Sequence, residues 1–185
     1  MPKTRMFGLV FLSMLLFGPM VLRGQDDITA MQRLFLMKEV MPGLETVGII
    51  WNEKAVNAAD MMAKIERASA STGIKVVIAN VESLKDLGGE LKNLIGFHKV
   101  QVVWVIGDDA VLGGSVARDF LIKNTAMSRT PLLAPAGDWV DAGACMAMRK
   151  VDGKTKLYVN SKTAAAVGIS VPDAMMAKTD FFAAN

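Results

Sequence analysis

Short apolar runs alternate with longer amphipathic stretches along most of this chain. The runs are rich in β-branched residues, as in strands that are buried on both faces of a sheet, and four of them lie at 46–51, 74–79, 100–106 and 130–134. Stretches with helical spacing of apolar residues lie between and before them, at 28–40, 57–71, 83–95 and 110–124. Strands that alternate with helices predict an α/β fold, a three-layer αβα sandwich with a mostly parallel sheet.

The C-terminal part has a different pattern. Two apolar runs, 143–149 and 156–159, flank the Asp152-Gly153 dipeptide, which predicts a hairpin at the edge of the sheet. Asn160 or Ser161 is suited to begin a short helix that Gly168 ends, and Pro172 is suited to the first turn of a final helix.

The N-terminal segment indicates export. Lys3 and Arg5 precede the 17-residue apolar run 6–22, and the chain turns polar at Arg23. This layout predicts a secretory signal peptide over residues 1–24 and a single α/β lobe over residues 25–185, periplasmic or otherwise exported. An uncleaved membrane anchor is the alternative, since the run is at the short edge for a spanning helix.

The predicted signal peptide also accounts for the net charge. Three of the 21 Lys and Arg residues lie in it, and the remaining 18 balance the 18 Asp and Glu residues. A balanced chain without a basic patch does not favour nucleic-acid binding.

Enzyme chemistry finds little support in the sequence. His98 and Cys145 are the only His and Cys, about fifty residues apart, and a surface position and a buried small residue explain them. The motifs of serine hydrolases, P-loop proteins and zinc peptidases are absent. We therefore predict no catalytic residues, no metal and no cofactor.

Polar residues that follow the predicted strands are the candidate ligand-binding positions, because ligands bind parallel sheets at the carboxyl ends of strands. They are Asn52, Asn57, Asp108, Asp109 and Asp138. Each also has a structural interpretation. The two Asn side chains could form an Asx-turn and a helix cap, the Asp108-Asp109 pair could cap a helix, and Asp138 could lie in a solvated loop.

Several segments together resemble a known family. They are Met41-Pro-Gly with Trp51-Asn52 and Asn57, Ser83-Leu-Lys-Asp-Leu, Ile106-Gly-Asp108-Asp109 and the tail Asn160-Ser-Lys-Thr-Ala. Their order resembles the second lobe of ABC-transporter substrate-binding proteins, with a type I periplasmic-binding-like fold, over about residues 33–182. The resemblance implies that Asn52, Asn57, Asp108 and Asp109 face a ligand cleft. It also implies a small polar ligand and a membrane permease or sensor protein as partners.

The chain departs from that family in several places. Glu53 and Ile106 replace prolines, Pro135-Ala136 replaces a polar pair, and the first lobe is missing. One lobe offers half a cleft, so it would bind weakly, form a homodimer or present its strand ends to another protein.

Two functions remain open. The first is a non-enzymatic, exported protein that binds or senses a small molecule. The second is a periplasmic regulator that binds a membrane signalling partner, since residues 143–157 and 160–177 are also similar to the end of the YfiR-like family.

Overall fold

The computed structural model describes residues 28–107 and 109–182. The predicted signal peptide and Asp108 lie outside the described residues. The helices are α1 Ala30–Val40, α2 Ala58–Thr72, α3 Leu84–Lys92, α4 Ser115–Met127, α5 Gly137–Asp141 and α6 Ser161–Val167, with a π-helical turn Asn93–Phe97 and a 3₁₀ helix Asp173–Lys178. The strands are β1 Thr46–Trp51, β2 Lys75–Asn80, β3 Val102–Val105, β4 Leu132–Ala134, β5 Met146–Val151, β6 Lys154–Asn160 and β7 Thr179–Phe182. In these described parts of the chain, no helix is long and apolar enough to span a membrane.

The seven strands form one mostly parallel sheet in the order β2-β1-β3-β4-β5-β6-β7. β1 to β5 are parallel to one another, β6 is antiparallel to β5, and β7 is parallel to β6. The apolar residues pack in two clusters. One cluster contains α1, α2 and α6, and the other contains α3, α4 and α5. These two clusters cover the opposite faces of the sheet, which confirms the predicted αβα sandwich.

Local capping explains why most helices begin and end where the sequence predicts. Asn57 accepts a hydrogen bond from the backbone N–H of Asp60 at the start of α2, and Gly73 ends that helix at φ 70°. Asn160 does the same for α6 through the N–H of Thr163, and Gly168 ends it at φ 80°. A positive φ is accessible to Gly without steric cost, so both glycines are suited to these positions.

The predicted start of α4 is wrong by five residues. Residues 110–114 form turns, and the helix begins at Ser115 instead of Ala110. The Asp109 carboxylate accepts the N–H groups of Val111 and Leu112, which closes a local turn in place of the first helical turn. The neighbouring Gly113 and Gly114 are also poor helix formers.

The prediction that the hairpin lies at the sheet edge is also wrong. β5 and β6 pair as expected through Asp152 and Gly153, but β7 adds an outer strand beside β6. The final helix is a 3₁₀ helix, and β7 follows it directly.

Two cations hold the outer strand in place. The Asp180 carboxylate of β7 lies 2.9 Å from Nη2 of Arg149 and 3.0 Å from Nζ of Lys156. The hydrogen bond from Arg149, followed by that from Lys156, lowers the pKa of Asp180 below its usual value. The strand therefore depends on contacts with residues that are more than twenty positions away in the sequence.

Candidate functional site

The candidate site lies where the chain changes direction across the sheet. From β1 the chain passes to β2 on one side and then to β3 on the other, so β1 and β3 are neighbours whose following loops diverge. Such a switch point leaves a crevice outside the carboxyl ends of the two strands, which is where open α/β sheets bind ligands. The loops that begin at Asn52 and Ile106 border this crevice.

The structure brings two of the predicted site residues into contact. Nδ2 of Asn52 donates a hydrogen bond to Oδ1 of Asp109, at 3.3 Å, and this bond joins the loops after β1 and β3. Oδ1 of Asn52 accepts the N–H of Lys54 at 3.1 Å, which is the predicted Asx-turn. Asn52 is buried, so these bonds hold both loops in a fixed geometry.

The second oxygen of Asp109 is different. Oδ2 is buried and accepts no hydrogen bond from the described residues. A methyl group placed on Gly107 would lie 3.4 Å from this oxygen, so the carboxylate faces the glycine that follows β3. A buried carboxylate oxygen without a donor is costly, and a ligand that supplies an N–H or O–H here would remove that cost.

The other predicted site residues are placed separately. Asn57 is exposed and caps α2. Asp138 is exposed in the first turn of α5, and its carboxylate lies 4.0 Å from the Arg118 guanidinium. Both follow parallel strands at the same edge of the sheet, whereas Asp108 lies outside the described residues.

A cavity opens at the same edge, on the face covered by α1 and α2. It has a volume of about 410 Å³, which lies in the usual range for small-molecule sites. Gly107 borders it two residues after β3, and Pro135 borders it directly after β4. Its other lining side chains include Arg33, Met61, Lys64, Trp104 and Ile106.

The cavity combines apolar and cationic groups. The Arg33 guanidinium carbon lies 5.8 Å from the centre of the Trp104 ring, within the range of a cation–π contact. Nε of Arg33 donates to the carbonyl of Ile28, and the Lys64 ammonium pairs with Asp60 at 2.6 Å. Both cationic side chains therefore already have protein partners, and what the cavity offers a ligand is mainly its apolar and aromatic lining.

Sequence reasoning identified the loops that border this cavity but not its lining side chains. Gly107 and Pro135 directly follow two of the predicted strands, 100–106 and 130–134. Arg33, Lys64 and Trp104 lie within helices and a strand, where periodicity predicts only a solvated or a buried side chain. Only the packing of α1 and α2 on the sheet brings these three residues to one cavity.

The described residues do not assemble a catalytic group around His98 or Cys145. His98 is exposed at the end of the π-helical turn, as predicted. Cys145 is buried just before β5, and burial raises the pKa of its thiol to about 12, so it is an unreactive core residue. Within residues 28–107 and 109–182, no group of three or more His, Cys, Asp or Glu side chains could hold a metal ion.

Comparison with known proteins identifies a family. A family model described as ABC transporter substrate binding protein matches residues 21–154. No curated protein matches the chain significantly. The match ends before the C-terminal segment 157–177, so the resemblance of that segment to the family lies outside the matched residues.

Solved structures show the same fold. A conserved domain protein from Vibrio cholerae is 21% identical, with a TM-score of 0.68 over 84% of this chain and 60% of its own length. The ABC domain in complex with L-Trp from Streptococcus pneumonia is 16% identical, with a TM-score of 0.70 over 83% of this chain and 60% of its own. A substrate-binding protein with adhesive properties from Clostridium difficile, in its ligand-free, open form, is 18% identical, with a TM-score of 0.66 over 85% and 60%. The chain thus spans about 60% of the length of these structures.

Proposed function

The chain belongs to the family of ABC transporter substrate-binding proteins, and we propose that it binds a small polar ligand at the carboxyl ends of β1, β3 and β4. In this proposal the protein is an exported binding or sensing module without catalytic activity. In it, residues 25–185 form one α/β lobe after removal of a signal peptide. Asn52, Asn57, Asp108, Asp109 and Asp138 are the proposed ligand-binding residues at the strand ends.

The observation that carries the proposal is the buried Oδ2 of Asp109. This oxygen accepts no hydrogen bond from the described residues, while Oδ1 is engaged by Asn52 and two backbone N–H groups. The carboxylate is therefore held rigidly and presents one acceptor toward Gly107, which also borders the cavity. Asp109 itself does not line the cavity, but Gly107 lies between its Oδ2 and a space of ligand size, which supports a site for a molecule that carries a hydrogen-bond donor.

The cavity supports a further property of the ligand. Trp104 with Met61 favours a ligand with an apolar part, whereas the charge of Lys64 is already paired with Asp60. A molecule with an apolar or aromatic side group and a hydrogen-bond donor suits this lining. The Streptococcus pneumonia neighbour was solved with L-Trp, so aromatic amino acids belong in the first set of test ligands.

Partners follow from the geometry of a strand-end site. Enclosing most of a small ligand requires a second wall opposite the sheet edge. We propose that a membrane permease or sensor protein meets this edge when ligand is bound. The regulatory alternative rests on the similarity of the tail to YfiR-like proteins and stays a prediction.

A ligand screen by thermal unfolding tests the proposal. Amino acids, purines and small amides are added to the purified chain, and a specific ligand at 100 times its Kd stabilises the fold by about 2.7 kcal/mol. For a chain of this size, that increment raises Tm by about 5–11 °C. If no compound in a broad panel raises Tm, small-molecule binding is refuted.

Two matched pairs of variants locate the site. The chain has three Trp residues. Trp104 lines the cavity, whereas Trp139 is buried in the cluster on the opposite face. A ligand-induced change in Trp emission should disappear in Trp104→Phe and persist in Trp139→Phe, and the reverse result would place the ligand elsewhere.

The second pair compares two carboxylates beside Arg118. Asp138 and Asp119 have equally exposed side chains, at 67% each, but only Asp138 lies in the segment directly after β4. Asp138→Asn should raise the Kd of the ligand and Asp119→Asn should not. Equal effects would remove Asp138 from the proposed site.

A further inference from the structure

The Asp109 carboxylate carries a charge that no cation of the described residues balances. Its Oδ1 accepts hydrogen bonds from the Asn52 side chain and from the N–H groups of Val111 and Leu112, and all three donors are neutral. None of the ion pairs between described residues involves Asp109, and its buried Oδ2 has no donor among them. An unbalanced charge at such a partly buried position is costly, so a cation that reaches it removes part of that cost.

The two cations that line the neighbouring cavity are engaged elsewhere. The Lys64 ammonium pairs with Asp60 at 2.6 Å. Nε of Arg33 donates to the carbonyl of Ile28, and the guanidinium lies against the Trp104 ring. A carboxylate group on a ligand would therefore compete with contacts that the protein already makes.

Gly107 separates Oδ2 of Asp109 from this cavity. It borders the cavity, and a methyl group on it would lie 3.4 Å from that oxygen and 3.9 Å from Cγ1 of Val56. A side chain at this position would thus occupy the space next to the oxygen. Because Gly has none, a small group in the cavity can approach Oδ2 across the Gly107 backbone.

An ammonium group fits this position better than a hydroxyl or an amide. It supplies both the N–H donor and the positive charge, and charge-assisted hydrogen bonds are about twice as strong as those between neutral groups. A carboxylate on the carbon atom next to the ammonium, as in an amino acid, would be held close to Asp109 and repelled by it. The remaining lining includes Met61, Trp104, Ile106 and Pro135, which suit a hydrocarbon or aromatic group.

We propose that the ligand is an apolar or aromatic amine that lacks a carboxylate group. Its ammonium donates to Oδ2 of Asp109 across Gly107, and its apolar part lies against Trp104 and Met61. This inference rests on the proposed binding site and narrows the class of ligand that the site takes. Amino acids are then weaker ligands than the corresponding amines.

Isothermal titration calorimetry on the full chain tests the inference with three matched pairs. Each pair is an amine and the amino acid that differs from it only by a carboxylate, namely tryptamine and tryptophan, phenethylamine and phenylalanine, and isoamylamine and leucine. In the pair that binds best, the amine should have a Kd at least about tenfold lower than that of its amino acid.

The outcomes separate this inference from the proposed function. A smaller preference in the best pair, or a preference for the amino acid, overturns the inference and leaves small-molecule binding in place. The same holds if other compounds of the panel bind and none of the three amines does. If no compound binds, the proposed function is refuted together with the inference.

Asp109→Asn tests the assigned contact, because Asn keeps the shape and the Oδ1 acceptor and removes the charge. The Kd of the best amine should rise at least about tenfold, whereas the Kd of the alcohol that has a hydroxyl in place of the amine should stay within about threefold. Asp119→Asn is the matched control, since Asp119 is 67% exposed on α4 at the other face of the sheet, and it should change neither Kd. A variant with a native circular dichroism spectrum that keeps its affinity for the amine, or that loses affinity equally for the amine and the alcohol, overturns the inference. If the variant does not fold, the matched pairs decide alone.

Discussion

Asn52→Asp is the most direct test of the link between the ends of β1 and β3. The substitution keeps a side-chain oxygen for the N–H of Lys54 but replaces the Nδ2 donor with a second carboxylate oxygen. That oxygen would face Oδ1 of Asp109, which lies 3.3 Å from Nδ2 in the native chain. The shape of the side chain is unchanged, so the effect isolates the hydrogen bond and the charge.

The magnitude follows from these two contributions. A hydrogen bond to a charged acceptor contributes about 1.5–3 kcal/mol. Repulsion between two carboxylates at this separation adds at least about 1 kcal/mol even with the dielectric constant of water, and Asn52 is buried. We expect a loss of about 3 kcal/mol in the free energy of unfolding at pH 7, which lowers Tm by about 6–12 °C in a chain of this size.

The loss should depend on pH in a defined direction. Two carboxylates so close together bind one shared proton more tightly in the folded variant than in the unfolded chain, where carboxyl groups titrate near pH 4. The folded variant therefore gains stability relative to the native chain as the pH falls from 7 toward 4. The difference in unfolding free energy between the two proteins should narrow over that interval.

Urea unfolding followed by circular dichroism at pH 7 and pH 5 measures both effects. Asn57→Asp is the control, because Asn57 caps α2 at an exposed position where Asp serves as well as Asn. Its change should stay within about 0.5 kcal/mol. An Asn52→Asp variant as stable as the native chain at pH 7, or a difference that widens at pH 5, would refute the role assigned to this bond.

Two further predictions concern groups whose pKa the fold shifts. Burial raises the pKa of Cys145 to about 12. An alkylating reagent at pH 8 should therefore modify the thiol only as the protein unfolds. Rapid labelling of the folded chain, detected by mass spectrometry, would contradict this prediction. Arg149 and Lys156 lower the pKa of Asp180 in the folded chain. The ionised carboxylate therefore stabilises the fold at pH values above its unfolded pKa, which is near 4. This stabilisation is lost as the pH falls through the lower pKa of the folded state. Asp180→Asn should therefore destabilise the protein at pH 7 and have little effect near pH 2, as measured by denaturant unfolding; an equal effect at both pH values would show that the ion pairs do not stabilise β7.

Much of the fold could be predicted from local signals. The apolar run at 46–51 is β1, and the capping residues Asn57 and Gly73 bound α2 as expected. The Asp152-Gly153 turn likewise joins β5 and β6. These features depend on residues within a few positions of one another, so the sequence carries them in full.

The errors arose where a distant residue or a side-chain contact decides the conformation. β7 is only four residues long and becomes a strand by pairing with β6, about twenty residues earlier in the chain. α4 begins five residues later than predicted because the Asp109 carboxylate accepts hydrogen bonds from the N–H groups of Val111 and Leu112, which forms a turn where the first helical turn was expected. The spacing of apolar residues along the sequence cannot show either the pairing of β7 or the turn at Asp109, because it describes only residues within one helix or strand.

The candidate site divides in the same way. The sequence by itself determined which loops border it, because strands that alternate with helices form a parallel sheet, and such a sheet places the carboxyl ends of its strands at one edge. Only the tertiary structure decided that Asn52 and Asp109 meet, that Oδ2 of Asp109 stays without a donor among the described residues, and that Arg33, Lys64 and Trp104 border one cavity. These are distances between elements far apart in the sequence. They are set by how helices pack on the sheet, and a linear pattern of apolar and polar residues does not contain them.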